Sequence, residues 1–75
     1  MQKYIIILTS ITYVNKAKLI LTENNIKSYI VKMRAIFEQR GCGYGLQVLE
    51  NNLDNAVSIL ENYRIKIVEV IEDFD

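Results

Sequence analysis

The sequence predicts an α+β domain that runs strand, helix, strand, strand, helix, strand. Three observations carry this. Four short apolar segments, near residues 3–9, 26–32, 43–49 and 65–71, show no helical period, and the two stretches before the second and fourth of them repeat their apolar residues every three to four positions. The third observation is length. The chain has 75 residues, enough for one domain, 1–75, which buries about 60–65% of the surface its unfolded form exposes.

Lys3 to Thr9 reads as the first strand, because Tyr4 to Leu8 are all apolar and three of them are β-branched. Apolarity on both faces marks it as central. Ser10 or Thr12 then caps a helix with Val14, Ala17, Ile20 and Leu21 inward, stopping at Asn24-Asn25, a pair suited to left-handed backbone. The second strand is expected from Ile26 to Lys32. Ten residues from Met33 to Cys42 follow, longer than the two to five usual in a hairpin. Gly43 to Leu49 forms the third strand, with Tyr44, Leu46 and Val48 on one face. Asn52 or Asp54 starts a second helix that buries Leu53, Ala56, Val57 and Leu60 and ends at Tyr63-Arg64. Ile65 to Ile71 closes the order. No internal repeat, linker or low-complexity segment stands out.

The simplest arrangement is a ferredoxin-like βαββαβ sandwich, a four-stranded antiparallel sheet in order 4-1-3-2 with two helices on one face. This topology gathers the end of strand one, the start of helix one and the start of strand three at one edge. Lys32, Arg34, Arg40, Arg64 and Lys66 are expected there, opposed by Glu38 and Glu61. Glu23, Glu50, Asp54, Glu72, Asp73 and Asp75 are expected at the other. The apolar runs Tyr4 to Leu8 and Val68 to Val70 predict an open sheet face that pairs in a homodimer.

Composition narrows the chemistry. Nine basic residues balance nine acidic ones, which gives no global field for nucleic acid or anionic lipid. With no histidine and one cysteine, the usual ligands of zinc, copper or iron–sulfur centres are missing, and neither metal nor cofactor is expected. The longest apolar run is far below the roughly 18 residues of a membrane span, and one cysteine builds no disulfide framework. The expectation is a cytoplasmic protein.

The chemical candidate is Cys42, set in Gly41-Cys42-Gly43-Tyr44-Gly45. Flanking glycines leave a sulfur little shielded. A thiol of pKa about 8.5 is about 7% thiolate at pH 7.4, and one lowered by about a unit is about 45% thiolate. A helix start at Ser10 to Thr12 and the cations Arg34 and Arg40 are the features expected to lower it. The plain alternative is a small buried hydrophobe at a strand start. The glycines read better as a bulge or a tight entry into the third strand than as direct backbone contact with a ligand. Tyr44 is expected to pack against a helix, and Ile36 and Phe37 suggest a turn, a lid or a docking surface.

Arg40-Gly41-Cys42-Gly43-Tyr44 also approaches the basic-Gly-aromatic-Gly-aromatic run of RNA-recognition motifs. Cysteine replaces the first aromatic, and Gln47 stands where the last belongs. A small-molecule-sensing domain of the same fold is a further alternative; in either case Cys42 would be structural.

Ile11-Thr12-Tyr13, Lys16-Ala17-Lys18, Gly41-Cys42-Gly43-Tyr44 and Leu53-Asp54-Asn55-Ala56 together span nearly the whole chain. In these segments it resembles the selenium/sulfur carrier protein-like family of short bacterial proteins. It differs in having no proline in the loop and Asn15 in the first helix. The resemblance implies a carrier rather than a stand-alone enzyme, with Cys42 holding a persulfide or perselenide. The donor, a cysteine desulfurase or a selenium donor protein, and the acceptor would be separate proteins.

Overall fold

The computed structural model describes residues 2–33 and 43–73. Six elements follow in order: β1 (Lys3–Leu8), α1 (Ile11–Glu23), β2 (Tyr29–Lys32), β3 (Tyr44–Leu49), α2 (Glu50–Asn62) and β4 (Ile67–Asp73). The strands form one antiparallel sheet in the order β2-β3-β1-β4, the expected 4-1-3-2 read from its other edge. The ferredoxin-like α+β arrangement stands.

Register sorts the side chains. Tyr4, Ile6 and Leu8 share a face with Leu46, Val48 and Val70, and there they meet Val14, Ala17, Ile20 and Leu21 of α1 and Ala56 and Leu60 of α2. That is the core. The opposite face carries Ile5, Ile7, Val31, Gly45, Gln47 and Ile71. It is not uniformly open, because Ile7 is 0% exposed and Met33, whose sulfur lies over Gly45, is 5% exposed. Gly45 is required by that packing: a Cβ there would run into Ile5 Cγ2 and lie 3.1 Å from Met33 Sδ.

Both helices end in the same way. Ile26 N donates to Leu21 O at 2.9 Å and Asn25 N to Thr22 O at 3.0 Å; Ile65 N donates to Leu60 O at 3.0 Å and Arg64 N to Glu61 O at 2.9 Å. Asn25 (φ 62°) and Arg64 (φ 60°) take the left-handed backbone of a Schellman stop. Ile26 and Ile65 are therefore committed to closing helices, which explains why β2 and β4 begin at Tyr29 and Ile67 rather than at those isoleucines. The chain does hold a structural repeat: α1 and α2 start at 11 and 50 and end at 23 and 62, a constant step of 39.

The start of α2 differs from expectation. It follows β3 without a loop, and its cap position is Leu49, which offers no side-chain acceptor, rather than Asn52 or Asp54. The backbone supplies a partner instead, as Glu50 N donates to Gln2 O at 2.8 Å.

Candidate functional site

One end of the sheet collects the described part of the expected site. The pairing of Ile7 with Gly45 and of Leu8 with Ile67 brings the end of β1 beside the starts of β3 and β4. Ser10 follows at once and caps α1, its Oγ accepting from Tyr13 N at 3.2 Å. Thr12 is exposed in the first turn of α1 and is not the cap. At the head of β3, Gly43 has φ 86°, a conformation that favours glycine, and its carbonyl accepts from Met33 N at 2.8 Å. This bond joins the two described residues that flank 34–42. Tyr44 lies on the helix side of the sheet, as expected, but is 38% exposed at its rim.

Cys42, Gly41, Arg34 and Arg40 lie outside the described residues, as do Ile36, Phe37, Glu38 and Asp75. Of the expected cations, the described ones keep to this end. Lys32 pairs with Tyr44 at the last position of β2, and Arg64 and Lys66 line a depression of about 450 Å³ with Glu61, Ile65 and Ile67. The chain matches no family model, no curated protein and no solved structure. Among the described residues no group of three or more His, Cys, Asp or Glu side chains could hold a metal, and no helix is long and apolar enough to cross a membrane.

The opposite end is the acidic one, with two lysines, Lys3 and Lys27, that the charge pattern did not assign. Gln2 Nε2 donates to Glu72 Oε2 at 3.0 Å and Gln47 Nε2 to Asp73 Oδ2 at 2.7 Å. Partial burial, and then the charges of Glu72 and Glu50, push the Tyr4 phenol above its ordinary value. Tyr4 and Tyr44 both face the helices, so they form no stacking platform on the open face of the kind an RNA-recognition motif uses.

Sequence reasoning misses two positions. It reads Gly45 with its neighbours as a bulge or tight strand entry, whereas its alternation with the inward residues Tyr44 and Leu46 is the signal that fits the close approach of Ile5. Ser28 is 3% exposed, and its Oγ has no hydrogen-bond partner among the described residues.

Proposed function

We propose that this chain is a carrier of sulfane sulfur or selenium, with Cys42 as the carrying atom's anchor. The observation that supports the reading most is local. Gly43, bonded to Cys42 in the chain, heads β3 at the sheet end from which the Ser10-capped α1 starts. The N-terminus of a helix favours a thiolate over a thiol, and Lys32, Arg64 and Lys66 at the same end act in the same direction.

The chemistry needs no base and no metal. The Cys42 thiolate attacks the outer sulfur of a donor persulfide; the donor's S–S bond breaks, its thiolate leaves, and Cys42 holds the new persulfide with its proton. Repeating the exchange with an acceptor thiolate restores the Cys42 thiolate. Atoms, charge and oxidation state balance in both steps. The donor is a cysteine desulfurase or a selenium donor protein, and the cell compartment is the cytoplasm. Two copies pair through the open-face residues Ile5, Tyr29, Val31 and Ile71, a part of the proposal that a monomer at micromolar concentration in sedimentation would remove.

The test is direct. Alkylation rate against pH should give a thiol pKa below 8.5, and mass spectrometry after exposure to a persulfide donor should show one added sulfur that reductant removes. Cys42→Ser should lose the adduct and stay folded. A thiol that alkylates only after denaturation and never gains sulfur would overturn the carrier reading and leave Cys42 as a packing residue.

A further inference from the structure

Among the described residues, the exposed large apolar side chains are unevenly spread. Ile11 and Tyr13 in the first turn of α1, Tyr44 at the head of β3, Tyr63 at the end of α2 and Val68 near the start of β4 are all exposed, and register and connectivity bring all five to one end. Leu19, Tyr29 and Ile30 are the exceptions elsewhere. Around this cluster stand Lys32, Arg64 and Lys66, with two acids, Glu61 in the depression beside Arg64 and Glu69 opposite Ile7 near the start of β4. Exposed tyrosines with a cationic rim are the composition of protein interfaces, where aromatic residues fill the centre and charges select the partner.

We infer that this end is the face on which the sulfur donor docks, and that the donor presents an apolar patch rimmed by carboxylates. The inference rests on the carrier reading and adds the partner's chemistry to it. A carboxylate rim complements Lys32, Arg64 and Lys66, and it is repelled by the Glu50, Glu72 and Asp73 end, so one orientation of approach is favoured. That orientation brings the donor to the end where β3 begins.

The probe is the purified cysteine desulfurase of the source organism with radiolabelled cysteine. Its loading rate is compared with chemical loading of the same variant by inorganic polysulfide. Lys32→Glu with Lys66→Glu should lower kcat/KM for enzymatic loading relative to polysulfide loading about tenfold at low salt, and raising salt should shrink the difference. Lys3→Glu with Lys27→Glu, the same charge change at the far end, should leave the ratio unchanged. Equal effects from the two ends, or no salt dependence, would overturn the docking surface and leave the carrier reading intact. Loading by polysulfide but not by the desulfurase would do the same. Loading by neither would overturn both. Single-stranded RNA binding that Lys32→Glu with Lys66→Glu abolishes would reassign the surface and end the inference.

Discussion

Replacing Gly45 with alanine sets two effects of opposite sign against each other. An added Cβ restricts the unfolded chain and improves strand propensity, a gain of about 0.4–1 kcal/mol where the space exists. Here the space does not exist. The new carbon would meet Ile5 Cγ2, lie 3.1 Å from Met33 Sδ and 3.3 Å from the Ile6 carbonyl. The Met33 thioether is able to swing aside. Ile5 Cγ2 sits directly on a β-carbon and moves only with its rotamer or the strand, and overpacking of this kind costs about 1–3 kcal/mol. The cost wins, leaving Gly45→Ala less stable by roughly 1.5 kcal/mol, or a fall in Tm of roughly 6–12 °C for a domain this size. Urea unfolding at constant m-value measures it. Ile5→Ala removes Cγ2, and in that background Gly45→Ala should be neutral or slightly stabilising, a coupling of about 1–2 kcal/mol. Equal losses in both backgrounds, or a wild-type midpoint for Gly45→Ala, would refute the account of this glycine.

Ser28→Ala should be neutral or stabilising by about 1 kcal/mol in the same urea assay, since it removes a buried hydroxyl that has no partner among the described residues; a loss above that size would mean the hydroxyl is bonded. Tyr4 has a pKa raised in the fold, so the neutral phenol is the form the fold favours. Its contribution is complete below pH about 10 and is lost as pH rises through the folded-state value. Unfolding midpoints of wild type should therefore fall more steeply above pH about 10 than those of Tyr4→Phe, with the ultraviolet phenolate signal of the two proteins fixing the titration; parallel pH curves would count against it.

The fold was legible because its strongest signals are local. Five consecutive apolar residues in β1 and the helical spacing of Val14, Ala17, Ile20 and Leu21 leave few ways to bury both. Element ends were less legible where backbone rather than side chain does the work. Leu49 stands as a cap with no side-chain acceptor because Gln2 O takes the Glu50 amide across the sheet, a long-range contact that no local motif encodes. Ile26 and Ile65 read as strand residues because they are β-branched, although each closes the helix before it. Of the site, the Ser10 cap and the cationic end followed from topology. The burial of Ile7 did not, because alternation alone assigns it to an open face.

The step of 39 between the helices extends beyond their length. It relates Ala17 to Ala56, Ile20 to Ile59, Leu21 to Leu60, Ile26 to Ile65 and Lys27 to Lys66, and it carries three hydrogen bonds of the first helix stop, Asn24 N to Ile20 O, Asn25 N to Thr22 O and Ile26 N to Leu21 O, onto their counterparts in the second. The chain is in effect two copies of one βαβ unit tied in tandem, and each copy solves the same burial problem with the same few residues. Residues 34–42 join the two units, which the bond from Met33 N to the Gly43 carbonyl holds together on either side of them, and it is within that join that the chain carries its only cysteine.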